Sequence, residues 1–309
     1  MNCRSSFFFA NNLHHTLTTS KIHNSESCSR NRYPFSGAFP RKVNFAGHGE
    51  VSSKHRRRFC PGASSLELPL LPFNMNEVLV PSEKKTLHLY EARYLALLEE
   101  SLLRKKLFVH FVLDPISISN SATEASFAAR HGCLVFIENV ERLDVGASVS
   151  IRGIGRVKIV KFLQAEPYLI GEIRPMQDRV VDGTDNLSPK VMQVKEALYS
   201  LNSLEIKLKT PKEAELQTYI LNSLSWAENE PSLECDEAFV PSSAERVSFA
   251  AFQPVTGSTQ SELLKLQGEK VKAMELKDTL QRLESSLELV KDNISMVAAK
   301  LAIQSLEMR

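Results

Sequence analysis

The chain has 309 residues, enough for one large domain or two modest ones. It is 43% hydrophobic and 24% charged, an ordinary globular balance, and no apolar run approaches the roughly 20 residues that cross a bilayer. The formal net charge of +2 hides an asymmetry. Residues 1–62 hold ten basic residues (Arg4, Lys21, Arg30, Arg32, Arg41, Lys42, Lys54, Arg56, Arg57, Arg58) against Glu26 and Glu50. Taking these from the chain's 38 basic and 36 acidic residues leaves 28 and 34, so residues 63–309 carry a net of −6 and repel nucleic-acid phosphates.

Residues 1–62 are rich in Ser, Thr, Asn, His and Arg and show no sustained apolar period. Phe7-Phe8-Phe9 is too short for the apolar core of a secretory signal. The composition fits an organelle transit peptide, cleaved near residues 58–65, and its extent and Ser/Thr content favour chloroplast, in the stroma, over mitochondrion. The competing reading is a basic tail that binds nucleic acid through Lys54-His55-Arg56-Arg57-Arg58. Three of the five cysteines (Cys3, Cys28, Cys60) fall in this leader. Cys133 and Cys235 are two distant thiols, which make neither a zinc site nor a disulfide framework.

Folded sequence begins at Leu66. Leu68-Pro-Leu-Leu-Pro-Phe73 reads as an edge strand, because proline cannot donate to an interior ladder. Val78-Leu-Val80, closed by Pro81, reads as a second. From Leu87 to Leu103 the period becomes helical, with Leu87, Tyr90, Tyr94, Leu97 and Leu98 on one face. Strands return at Phe108–Leu113, a Ser- and Ala-rich loop runs from Asp114 to His131, and further strands follow at Gly132–Arg142, Ala147–Gly153, Gly155–Phe162 and Tyr168–Arg174. In the alternation of Gly155–Phe162, Val157 and Ile159 point one way, and Arg156, Lys158 and Val160 the other. Short strands with turns between them predict a small antiparallel β-barrel or sandwich with one packed helix, in an α+β chain. This β-rich domain spans 66–177, and 178–187 is a polar linker.

Residues 188–309 read as a helical domain. Ser188-Pro189 is a cap before a first-turn proline. Thr210-Pro-Lys-Glu213, Ser242-Ser-Ala-Glu245 and Thr259-Gln-Ser-Glu262 are capping boxes. The last helix carries Leu276, Leu280, Leu283, Leu287, Val290, Ile294, Val297 and Leu301, in alternating steps of four and three, a coiled-coil seam. The seam serves either a homodimer zipper or lever, or the packing of a long helix on its own domain. A break at Asp292-Asn293 would make it a helical hairpin.

Signals for chemistry are sparse. No G-x-x-x-x-G-K-[ST] or G-x-S-x-G occurs. Gly153-Ile-Gly155 is a fragment of a dinucleotide fingerprint at a strand junction, where a turn is the simpler reading. Beyond the leader the histidines are His88, read as a helix-boundary residue; His110, read as facing solvent or a loop; and His131, at the loop's end. None has a partner four residues on. Glu99 and Glu100 are adjacent on a helix and point apart, a poor acid/base pair. Trp226, at a helix end, reads as core or half-buried. No catalytic, cofactor-binding or metal-ligating residue is assigned, and the chain is expected not to be an enzyme.

The segment from Leu66 to about Met176 resembles the N-terminal substrate-binding domain of Lon proteases, also found in cereblon. The resemblance is carried by Leu68–Phe73, Val78-Leu-Val-Pro81, Leu89-Tyr-Glu-Ala-Arg-Tyr94, Gly132 with its strand, Val149-x-Ile-x-Gly153 leading into Arg156-Val-x-Ile159, and Glu166-Pro-Tyr168. Their order over about 110 residues is what makes the match specific. Stand-alone plastid Lon-domain proteins of plants are similar. The resemblance implies a barrel like that of the PUA superfamily followed by helices. It also implies recognition of unfolded or client polypeptides as adaptor or holdase in protein quality control, with a separate protease or chaperone as partner. The family's surface recognition transfers no single binding residue; the Ser117–His131 loop with Phe127 is a candidate contact, and a disordered connector is the simpler reading. Cereblon's zinc module has no counterpart, because no CxxC pair exists. An RNA-binding PUA-like protein is the alternative, and the net −6 argues against it.

Overall fold

The computed structural model describes residues 64–116, 126–178, 187–208, 218–229, 233 and 235–307. The leader, the Thr210–Glu213 capping box and the centre of the Ser117–His131 loop lie outside these residues. Six strands form one sheet: β1 (Leu66–Asn74), β2 (Lys84–Leu89), β3 (Leu107–Ile116), β4 (Ser126–Arg142), β5 (Ala147–Gln164) and β6 (Leu169–Pro175). Helix α1 (Ala92–Leu103) lies between β2 and β3. The order is β2-β5-β4-β3-β1-β6, and β5 also pairs with β6. Five strands therefore close a ring, and β2 is appended to the first half of β5. The barrel is mixed: β1 and β3 run parallel, a pairing made available by the crossover through β2 and α1.

Strand β1 is not an edge. Leu66–Leu70 ladder with β6 and Leu70–Asn74 ladder with β3. Each half is laddered on one side in this register, so Pro69 and Pro72 sit where a missing N–H is tolerated. The expected strand at Val78–Val80 is absent as well. Its backbone is satisfied by side chains instead: Val78 N–H donates to Gln267 Oε1 (3.0 Å) and Val80 N–H to Glu83 Oε2 (3.1 Å). The helix expected from Leu87 starts at Ala92, because Lys84–Leu89 pairs residue for residue with Ala147–Arg152. Leu87 and Leu89 are buried there with His88 exposed between them, a period of two that matches helical spacing only by coincidence. The described ends of the loop expected from Asp114 to His131 are strand. Leu113–Ile116 pairs with Ser126–Ala129, extending the β3–β4 hairpin.

The two strands expected at 147–153 and 155–162 are one, bulged at Ile154 where Leu134 pairs with Gly155 but Val135 with Gly153. Glycine is needed on both sides. A Cβ on Gly153 would stand 2.3 Å from the Val80 carbonyl oxygen, and one on Gly155 2.4 Å from that of Phe239. Leu70, Val109, Phe111, Leu134 and Ile173 fill one apolar cluster of the barrel. The other face packs Leu79, Leu97, Leu98, Val135 and Ile151 with Phe249, Phe252 and Met274.

The helical region comprises α2 (Leu187–Leu208), α3 (Tyr219–Glu228), α4 (Ser243–Ala250), α5 (Gln260–Glu275) and α6 (Thr279–Glu307). Helix α2 begins one residue ahead of the predicted Ser188 cap. At α5 the predicted box is complete: Thr259 Oγ1 accepts from Glu262 N–H and Glu262 Oε2 from Thr259 N–H. At α4 it is half-made. Ser242 Oγ accepts from Glu245 N–H (3.3 Å), but the Glu245 carboxylate turns to Arg156. The seam divides. Leu276 caps α5, and a continuous α6, unbroken at Asp292-Asn293, presents Leu283, Val290 and Val297, all fully buried. They pack with Val194, Leu198 and Leu201 of α2, so the seam is used within the chain.

Candidate recognition surface and the ion network behind it

Two features stand out once the sheet and helices are placed. One is a set of buried charges that seats the helices against the barrel. The other is an exposed apolar corner at one end of the barrel.

The buried set starts from Arg156 on β5. Expected to face away from the core side of the strand, its guanidinium is fully buried, because that side of β5 meets the helices rather than water. It donates to Asp178, to Glu245 Oε1 (2.8 Å) and to the Met274 carbonyl (3.2 Å). Arg282 on α6 completes the set, donating to Asp178, to Ser248 Oγ (2.7 Å) and to the Leu276 carbonyl (2.8 Å). Both guanidinium groups lie over the Phe249 ring, at 5.5 and 4.2 Å. Two cations and two carboxylates balance in a largely buried setting, where pairing makes burial tolerable, although Arg156 Nε makes no hydrogen bond. Burial works to raise the Asp178 carboxyl, but hydrogen bonds and charge from Arg282, with help from Thr279 and Arg156, hold it below the usual range. Burial pushes Glu245 up, the Asp178 charge adds to this, and the arginines offset only part of it.

Two further contacts seat the first turn of the chain. Lys270 of α5 donates to Glu83 Oε1 (2.6 Å), with both groups buried. Arg152 of β5 donates to Glu138 Oε1 (2.7 Å), the Ser82 carbonyl (2.9 Å) and Asn222 Oδ1 of α3 (2.8 Å). Nothing in the sequence marked Arg152, Arg156, Asp178 or Arg282. The predicted box at Ser242–Glu245 masked the role of Glu245.

The histidines separate. His88 is exposed on β2 rather than at a helix boundary. His110 is the reverse of the solvent-facing expectation. It is fully buried and stacks on Phe73, with ring centroids 3.9 Å apart and planes 8° from parallel. Its face of β3 is covered by residues 75–85 and α5. Neither ring nitrogen makes a hydrogen bond of normal geometry. Burial first, then the charges of Lys85 and Lys270, hold its pKa well below the ordinary value, against a smaller pull from its own backbone and that of Glu77. His131 lies in β4, away from His88 in register. The structure brings none of the three together.

Cys133 is buried, and burial pushes its thiol far up; Cys235 is half-buried. Among the described residues no three His, Cys, Asp or Glu side chains are grouped to hold a metal, and no helix is long and apolar enough to cross a membrane. Trp226 is half-buried against the barrel cluster with the Arg246 guanidinium 5.9 Å from its ring. Phe127 pairs with Pro115 in the β3–β4 ladder, not in a loop. Gly153 and Gly155 flank a bulge, not a cofactor loop. Glu99 pairs with Arg142 and Glu100 with Arg104, so they serve two separate ion pairs.

The exposed corner is built by the four-residue turn Leu143–Gly146 between β4 and β5. Gly146 has φ +88°, and a Cβ there would meet the Leu89 carbonyl oxygen at 2.1 Å. That close approach sets the turn beside the end of β2. Tyr90, Leu143 and Val145 are 50%, 44% and 78% exposed there. They flank the Gly146–Leu89 approach, with Arg142 and Asp144 also exposed in the same turn region.

The described residues thus form a closed mixed barrel with helices seated on it by buried ion pairs. A profile of the ATP-dependent protease La (Lon) substrate-binding domain matches residues 67–295, and the chain belongs to that family. Among solved structures it is similar to a Lon N-terminal domain protein from Xanthomonas campestris, at 18% identity and a TM-score of 0.38 over 71% of this chain and 96% of that one. It is also similar to the N-terminal domain of the Mycobacterium avium complex Lon protease, at 15% identity and a TM-score of 0.41 over 74% and 99%. No curated protein matches it.

Proposed function

We propose that this chain is a non-catalytic recognition module that binds unfolded or client polypeptides in plastids, as adaptor or holdase in protein quality control. The observation that carries the reading is membership of a substrate-binding family over residues 67–295. The apolar corner at Tyr90, Leu143 and Val145 supports it, since burying each such side chain contributes about 1.5–3 kcal/mol. Binding of this kind draws on desolvation and needs no nucleotide. A separate protease or chaperone would receive the captured chain. The net −6 of residues 63–309 speaks against the RNA-binding alternative.

The test is a titration of a reduced, carboxymethylated, permanently unfolded polypeptide into the protein without nucleotide. Saturable binding that the native form of the same polypeptide does not compete for is expected. No binding, or equal binding of the native form, would overturn the reading. The plastid address is tested separately by fusing residues 1–65 to a fluorescent protein, which is expected to be imported and cleaved.

A further inference from the structure

The sheet has one strand with a single partner along its whole length. Among the described residues β2 pairs with β5 and with no other strand. An antiparallel edge strand directs the N–H and C=O of alternate residues away from its partner, so roughly half of the β2 backbone groups face outward. The two ends of that edge differ. At the Lys84 end helix α3 closes over it: Ser82 Oγ and Ser223 Oγ are 2.6 Å apart, and Arg152, the register partner of Lys84, reaches Asn222. Lys84 also pairs with Glu138 (3.2 Å), a charge that discourages strand addition there. At the other end Thr86 and His88 are exposed, with no charge of the lysine kind between them and Leu89. That end runs directly into the apolar corner, because Leu89 is the register partner of Ala147 and Gly146 lies against the Leu89 carbonyl. Among the described residues an unpaired strand edge thus runs up to a turn that exposes Tyr90, Leu143 and Val145, with the charges of Arg142 and Asp144 among them.

We propose that an extended polypeptide segment docks by adding a strand to the Thr86–Leu89 edge of β2, with an apolar side chain seated on Tyr90, Leu143 and Val145. The occupant follows from the chemistry. Outward backbone donors and acceptors are complementary to another extended backbone irrespective of its sequence, and the corner adds a preference for apolar residues. This rests on the proposed function and narrows it: the ligand is recognised as extended backbone with an apolar residue, not as a folded surface.

The probe is a short fluorescein-labelled peptide of alternating valine and threonine, read by anisotropy. Its counterpart is N-methylated at alternate amides, which keeps the side chains and removes the ladder. N-methylation is expected to weaken binding by about tenfold, through loss of two or more backbone hydrogen bonds. Val145→Asp, at an exposed turn where the fold is not at risk, is expected to weaken the unmethylated peptide by about tenfold as well. The bound peptide is expected to slow amide exchange at Thr86–Leu89. Equal binding of both peptides, or an unchanged affinity in Val145→Asp, would overturn the proposal. So would concentration-dependent self-association that the peptide competes away, which would give the edge to a second copy of the chain. If the carboxymethylated polypeptide binds and neither peptide does, this inference fails alone; if nothing binds, the proposed function fails with it.

Discussion

Asp178 shows how much one carboxylate decides when two arginines are buried beside it. Its oxygens accept from Arg156, Arg282 and Thr279 at once, and its side chain is 6% exposed. Removing the charge leaves two guanidinium groups with one carboxylate, Glu245, to balance them. Asp178→Asn is therefore expected to lower stability by about 3–5 kcal/mol, read from urea denaturation. His110 makes the opposite case, a buried polar group whose nitrogens find no partner of normal geometry. Its folded pKa lies well below the unfolded value of 6.5, so the unfolded chain takes the proton first. The stability tied to neutral His110 is complete above pH 6.5 and declines as pH falls from there toward the folded pKa, by up to about 1.4 kcal/mol per pH unit. His110→Phe keeps the stack on Phe73 and removes that dependence. Its urea midpoint is expected to change less between pH 7.5 and 5.5 than that of the parent protein.

At the scale of elements, the α6 seam shows what a periodic sequence does and does not settle. Leu283, Val290 and Val297 announced a buried face correctly, but spacing alone cannot say whether the partner helix belongs to the same chain. Packing against α2 answers that. Val290→Ala is expected to reduce stability by about 1–3 kcal/mol without altering the oligomeric state, checked by denaturation beside light scattering. Ile303, 57% exposed near the helix end, should tolerate alanine within about 0.5 kcal/mol. The same limit explains the other departures. Most strands, the terminal helix and the complete box at Thr259–Glu262 were legible, because period and capping are local properties. The burial of Arg156, the ladder of β2 and the satisfied backbone at Val78–Val80 were not. Each depends on partners far along the chain, such as Met274 for Arg156, Gln267 for Val78 and Ala147–Arg152 for β2. The apolar corner was invisible for the same reason, since Tyr90 and Val145 meet only through the β2–β5 register.

For the whole molecule, the arrangement implies that barrel and helices stand or fall together. Arg156, Arg152 and Glu83 belong to the barrel side, yet each has an essential partner in α3, α4, α5 or α6. A barrel stripped of the helices would expose Leu79, Val135 and Ile151, which pack with Phe249, Phe252 and Met274, and would leave several buried charges unpaired. Unfolding followed by tryptophan fluorescence, through the one Trp226, and by far-ultraviolet dichroism is expected to give coincident transitions. On the proposed reading, barrel and helices together offer a docking surface. The most direct measurement of that claim is the titration of permanently unfolded polypeptide into nucleotide-free protein. Saturable binding that is lost when the same polypeptide is folded is the predicted result; indifference to whether the polypeptide is folded, or no association at all, would contradict it.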